Sequence, residues 1–157
     1  MLSSPEAARF VRKGDEAGIS LAAAKASGFY PADYRFEACP VDGELRKGEV
    51  FCVGDCELHV IETFGHCCGM LSYLVTVGHS TYLFSGDTIF HGGKILMTNV
   101  YDYCDFQQYV QSLHKLARLS VHALLPDHLC MVLGGGQAHI QKAIDCLTRM
   151  VLPPNIL

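Results

Sequence analysis

Three stretches of the sequence end an apolar run with a residue that can bind a metal or move a proton. The first is Ile61-Glu62-Thr63-Phe64-Gly65-His66-Cys67-Cys68-Gly69. Glycines close to His66 let the backbone turn tightly and present the imidazole at a strand end. The second is Tyr82-Leu83-Phe84-Ser85-Gly86-Asp87-Thr88, where a carboxylate follows an apolar strand and serves no packing purpose. The third is Leu124-Leu125-Pro126-Asp127-His128. Two imidazoles and a carboxylate make a borderline N/O donor set, suited to zinc and also to iron or manganese. A carboxylate can bridge two ions, and a pair about 3.5–4 Å apart clamps a water and makes it a nucleophile near neutral pH. Each residue alone has a plainer reading. His66 would be a hydrogen-bonded loop residue, Asp87 a turn cap and His128 a surface side chain. Recurrence at three strand ends favours the metal reading, because the ends of adjacent strands converge on one edge of a sheet.

The elements that must position these residues read as strands flanked by helices. Ser4-Pro5-Glu6 starts a helix by capping, by a proline in the first position and by an acid at the positive end of the dipole; Gly14 is its stop. An Ala-rich helix spans Leu21 to Ala26, and residues 30–40 are irregular. Val50–Val53 and Leu58–Thr63 are short strands joined at Gly54-Asp55. Met70–Val77 and Thr81–Phe84 form a hairpin around Gly78-His79. Both are nearly continuous apolar runs, which predicts burial on both faces. Asp105 caps a helix with Phe106, Tyr109, Val110, Leu113 and Leu116 at helical spacing. Ala123–Pro126 is a short strand, the Gly134-Gly135-Gly136 loop follows, and Ile140, Ala143, Ile144, Leu147 and Val151 mark a last helix stopped by Pro153-Pro154. The triple-glycine loop lacks the Lys-Ser/Thr of a phosphate-binding loop and reads as a connector. Strands with helices packed around them indicate an α/β layered domain over residues 1–157.

Composition narrows the function. The 157 residues are 50% hydrophobic and 18% charged, with a net charge of −4, which fits a packed core. There is no Lys/Arg run or stripe, which argues against nucleic acid as a partner and for a small molecule. Apolar stretches fall short of a membrane span, and Met1–Glu6 lacks the basic flank and apolar segment of a signal peptide. The expectation is a cytoplasmic chain whose eight cysteines are reduced and serve as small buried hydrophobes.

The three motifs together resemble those of the metallo-β-lactamase-fold hydrolases, whose pattern is Thr-Pro-Gly-His-x-x-Gly, then a strand ending in Gly-Asp, then Pro-Gly-His. Here the matches are Thr63-Phe64-Gly65-His66 with Gly69, then Phe84-Ser85-Gly86-Asp87-Thr88, then Leu125-Pro126-Asp127-His128. The resemblance implies an αββα sandwich and a metal-dependent hydrolase that uses zinc, one ion or two. It would attack an ester, thioester or lactone-type bond. By resemblance His66 is a ligand of the first metal, Asp87 bridges both and His128 is a ligand of the second. Phe64 replaces the usual Pro, Asp127 replaces the usual Gly, and Cys67-Cys68 stands where Thr-Pro or Ser-Pro is common. His91 and Lys94 lie in the loop after Asp87 and are weighed as substrate contacts against a solvated-loop reading. The basic residues that a glutathione thioester would need are not evident after Gly93.

The family's His-x-His-x-Asp-His motif is absent: the histidines are 59, 66, 79, 91, 114, 122, 128 and 139, and no two are separated by a single residue. Ser4-Pro5-Glu6-Ala7-Ala8 resembles the helix that follows that motif. The chain therefore resembles the C-terminal part of the fold, incomplete at its N-terminal side. The alternative to an active hydrolase is a truncated, catalytically incompetent domain that binds metal weakly. Such a domain would pair with a second copy or with a complementing N-terminal half. A mean hydropathy of +0.21 fits a chain that needs more cover than it carries.

Overall fold

The computed structural model of the chain describes residues 1–97 and 104–157. Its centre is a five-stranded sheet built from the apolar runs in chain order: β3 (Val50–Val53), β4 (Cys56–Glu62), β5 (Leu71–Val77), β6 (Ser80–Gly86) and β7 (Ala123–Pro126). The first four pair antiparallel through tight turns, and β7 joins β6 in parallel after a helical crossover. A two-stranded parallel pair, β1 (Leu2–Ser3) with β2 (Gly43–Glu44), ties the start of the chain to the loop before β3. The sequence alone does not announce that pair, because each strand is only two residues long.

The helices follow their capping signals. In α1 (Pro5–Val11), Ser4 Oγ accepts the Ala7 N–H at 3.2 Å. The Ala-rich α2 spans Leu21–Ala26. In α3 (Phe106–Ala117), the Asp105 carboxylate accepts the Gln108 N–H at 3.0 Å, and this bond holds the Asp105 carboxyl below the usual carboxylate range. Helix α4 (Gly136–Thr148) opens after Gly135 in the left-handed region, so two of the three glycines form the connector and the third begins the helix.

Alternation along the strands sorts the core. Leu83 and Leu124 face α3 and α4 and join Tyr109, Leu113, Leu116 and Ile140 in one cluster, with Ile61 and Leu74 packed against it. The opposite face carries Phe51, Leu58, Tyr73, Tyr82, Phe84 and Leu125 in mutual register. The Phe51 and Tyr73 rings meet edge to face at 5.7 Å. This face corrects the expectation that the β5–β6 hairpin is buried on both sides. Phe84 is 43% exposed and Val77 is 53% exposed, because the helices cover one face only. The cysteines also depart from expectation. All eight are free, but Cys39, Cys52, Cys68 and Cys130 are exposed and the others are only partly covered. No helix among the described residues is long and apolar enough to cross a membrane.

Candidate metal centre

Asp87 owes its position to the end of β6. The β6–β7 pairing is regular up to Phe84 and shifts between Phe84 and Gly86, and Gly86 takes a left-handed φ of 55°. The chain thus leaves the strand and turns the Asp87 carboxylate over the sheet edge. A hydrogen bond from Asp127 N to Gly86 O, 3.2 Å long, locks the end of β7 to the same turn, which brings in His128.

His66 is held by three independent contacts. Gly65 (φ 135°) lies against α3 so closely that a Cβ there would come within 2.4 Å of the Tyr109 backbone. Ser112 Oγ donates to Phe64 O at 2.8 Å, and Cys104 Sγ donates to His66 O at 2.7 Å. The His66 ring is oriented by Nδ1, which lies 2.8 Å from Leu96 O. A carbonyl only accepts, so Nδ1 carries the proton and in the neutral ring Nε2 keeps its lone pair.

The three predicted ligands meet at Asp87. His66 Nε2 is 3.6 Å from Asp87 Oδ2, and His128 Nε2 is 3.4 Å from Asp87 Oδ1. His66 and Asp87 are largely covered, while the His128 side chain is 59% exposed and stacks loosely on Phe90. Asp87 Oδ1 is buried without a hydrogen-bond partner. Burial pushes the Asp87 carboxyl above its ordinary range. The neighbouring His66 and His128 pull it down, and Asp127 pushes it further up.

These observations test the fit to a metal. The Nε2 lone pair of His66 faces a carboxylate oxygen. Two electron-rich atoms at that distance are comfortable with a proton or cation between them. The orphaned Asp87 Oδ1 asks for the same. The donor chemistry therefore fits zinc. The number of donors falls short of a closed shell, since each carboxylate oxygen is paired with one imidazole and structural or catalytic zinc takes three or four protein ligands. Among the described residues no group of three or more His, Cys, Asp or Glu side chains could hold a metal ion on its own.

Sequence reasoning missed Tyr109. Its hydroxyl lies 2.8 Å from Asp87 O and 2.7 Å from Thr88 O, and it accepts the Leu96 N–H at 3.2 Å. One side chain thus pins both the turn that carries Asp87 and the segment whose carbonyl orients His66. The helical spacing marks Tyr109 as core, and nothing in that spacing reveals the hydroxyl's partners. His91 and Lys94, in contrast, lie on and just after a 3-10 turn (His91–Gly93) that packs on α4. That turn is fixed by the Gly92 N–H donating to His139 Nδ1 at 2.6 Å. Neither residue lines the cavity of about 730 Å³ that opens over His66, Asp87 and His128. Cys67 does line it, and burial pushes its thiol up to about 12.

No protein-family model matches the chain, and no curated protein matches it. Solved structures do. The MIM-2 metallo-β-lactamase superposes with a TM-score of 0.63 at 22% identity, over 95% of this chain and 57% of its own. The FEZ-1 metallo-β-lactamase from Legionella gormanii gives 0.64 at 19%, over 95% and 63%. The class B3 di-zinc metallo-β-lactamase LRA-12 from an Alaskan soil metagenome gives 0.57 at 18%, over 81% and 47%. The chain has the metallo-β-lactamase fold. It spans roughly half to three-fifths of the length of these structures, so the fold is incomplete within its 157 residues.

Proposed function

We propose that this chain is the ligand-bearing C-terminal part of a metal-dependent hydrolase of the metallo-β-lactamase fold. Its reaction is the hydrolysis of an ester, thioester or lactone-type bond. The observation that carries the reading is the placement of one carboxylate, Asp87, between two imidazoles, with one imidazole against each oxygen. His66 and Asp87 Oδ2 would hold one zinc, and His128 and Asp87 Oδ1 a second. Zinc, when bound there, supplies a water that is nucleophilic at neutral pH and a Lewis acid for the substrate carbonyl.

The chain's own residues prepare that site. Leu96 O keeps the His66 proton on Nδ1 and leaves Nε2 free to donate its lone pair. Tyr109 fixes the Asp87 turn and the Leu96 segment relative to each other. Met70, Leu96 and Ile156 give the cavity over the carboxylate apolar lining.

The short donor count favours a dependent form of this reading. With two donors per position, zinc affinity is weak, and full activity needs a His-x-His-x-Asp-His segment from outside this sequence. By resemblance that segment also carries the aspartate that handles protons. The apolar sheet face bearing Phe51, Tyr73 and Phe84 is where a second sheet would pack. Cobalt(II) titration tests the reading. Saturable visible absorption bands that vanish in His66→Ala and in Asp87→Asn are expected, and bands unchanged by either substitution would contradict it.

A further inference from the structure

Leu96 sends both of its backbone groups toward the site. Its N–H donates to the Tyr109 hydroxyl at 3.2 Å, and its carbonyl accepts from His66 Nδ1 at 2.8 Å. The residues on either side turn theirs the other way, toward residues 154–156. The Ile95 N–H donates to Pro154 O at 2.9 Å, and Ile95 O accepts the Ile156 N–H at 3.0 Å. This alternation is that of a paired strand, and Ile95 and Asn155 form an isolated parallel bridge.

At Met97 a side chain takes over the pairing. The Met97 N–H donates to Asn155 Oδ1 at 3.3 Å, and Asn155 Nδ2 donates to Met97 O at 2.6 Å. A carboxamide carries the donor and the acceptor of a peptide group, so Asn155 pairs with Met97 as a neighbouring strand would. The Met97 N–H and the Leu96 carbonyl belong to one trans peptide unit, which is planar and turns as a body. Asn155 grips that unit at its N–H end, and His66 Nδ1 is held at its carbonyl end. The plane cannot rotate without straining both bonds. A donor held at one end of a peptide also polarises the acceptor at the other.

That grip matters because the neutral His66 ring has one proton and two acceptors within reach. Leu96 O is 2.8 Å from Nδ1, and Asp87 Oδ2 is 3.6 Å from Nε2. A carboxylate is the stronger acceptor at equal distance, so the carbonyl keeps the proton only while it stays close. A loosened Leu96–Met97 peptide would let the proton pass to Nε2, where it blocks the lone pair. We infer that Asn155 is a positioning residue for the metal centre: its carboxamide fixes the Leu96–Met97 peptide and thereby keeps His66 in the tautomer that can bind a metal. The inference rests on the hydrolase reading for what His66 then binds, but the tautomer is read on the metal-free chain.

The test labels the histidines of the 157-residue chain with nitrogen-15 and reads ring nitrogen–proton correlations by NMR, without metal and with the ring neutral. The unaltered chain should hold the His66 proton on Nδ1. Asn155→Leu removes both bonds to Met97, and Asn155→Ser is too short to reach it. Asn155 is exposed and lies outside the core cluster, so the fold tolerates either change. Each should move a measurable share of the proton to Nε2, and Asn155→Gln, which keeps the carboxamide, should restore part of the parent pattern. Gln141→Leu removes a different exposed amide bond, the one to Asp145 on α4, and should leave His66 as in the parent. Cobalt(II) affinity should fall about three- to tenfold in the leucine and serine variants, at or below the loss of a ligand's direct hydrogen-bond partner. A parent proton on Nε2, a His66 pattern unchanged in both variants, the same change in Gln141→Leu, or cobalt affinity equal in parent and variants would overturn the inference. A chain whose His66 responds to Asn155 as described but which takes up no cobalt leaves the positioning role standing and contradicts the hydrolase reading instead.

Discussion

His66 Nδ1 sits 2.8 Å from the carbonyl oxygen of Leu96, thirty residues further along the chain, and that one bond decides what the other ring nitrogen can do. With one ring proton committed to the carbonyl, the neutral ring leaves Nε2 as a lone-pair donor facing the Asp87 carboxylate. Leu96 is itself placed by its N–H, which donates to the Tyr109 hydroxyl. The hydroxyl in turn lies against the Asp87 and Thr88 carbonyls. The relative placement of His66 and Asp87 therefore depends on a core tyrosine whose hydroxyl hydrogen-bonds to backbone groups rather than to either side chain.

Tyr109→Phe isolates that dependence. It keeps the ring in the core and removes the hydroxyl, so a buried N–H and two carbonyls lose their shared partner. The expected cost is about 1–3 kcal/mol of stability by urea denaturation. Zinc affinity should fall at the same time, although both donor side chains remain. A variant as stable as the parent, with unchanged zinc affinity, would show that the hydroxyl positions nothing.

Gly65→Ala should be worse than its size suggests. The added Cβ would fall 2.4 Å from the Tyr109 backbone, and the residue would keep a φ of 135° that side chains rarely adopt. Nothing near it is a flexible side-chain end that could yield. A loss of more than about 2 kcal/mol is expected, seen as a marked drop in melting temperature.

Asp87→Asn should act in opposite directions with and without metal. In the metal-free chain the Asp87 carboxyl is raised mainly by burial, so the folded state holds its proton more firmly than the unfolded state. The resulting cost is absent at pH below the ordinary carboxylate value. It builds as pH rises from there through the raised value and is complete above it. Asparagine removes that cost. At neutral pH the metal-free variant should be more stable than the parent, and its stability should decline less between acid and neutral pH. With excess zinc the order should reverse, because the parent gains binding free energy that the variant lacks. Thermal melts with EDTA and with zinc, across pH, read both signs.

Phe84→Ser tests the uncovered sheet face. Phe84 is 43% exposed and lies opposite Tyr73 and Leu125, on the side the helices leave open. Stability should change by no more than about 0.5 kcal/mol. Binding of an apolar fluorescent dye such as ANS should fall, and so should any self-association. A large loss of stability would mean that the side chain is already packed against something.

The sequence was most informative where local chemistry is decisive. Apolar runs, Ser4 and Asp105 as caps, and Gly54 and Gly78 as turns placed the five central strands and the four helices within a few residues. His66, Asp87 and His128 were legible because each ends an apolar run in the same way, and the structure brings all three to one sheet edge. Exposure was not legible: Val77 and Phe84 look like core in a linear run, and only the placement of α3 and α4 on one face shows that they are not. Tyr109 was hidden for a related reason, since its hydroxyl's partners lie 13 to 22 residues away in sequence. The β1–β2 pair was hidden because two-residue strands carry no periodicity.

The central claim is that His66, Asp87 and His128 act together on a metal. Elemental analysis of the purified chain tests it most directly, comparing the parent with a variant that carries both Asp87→Ala and His128→Ala. The account predicts zinc in the parent after equilibration with excess zinc, and its loss from the variant at equal folded yield. No metal in either protein, or the same metal content in both, would contradict it.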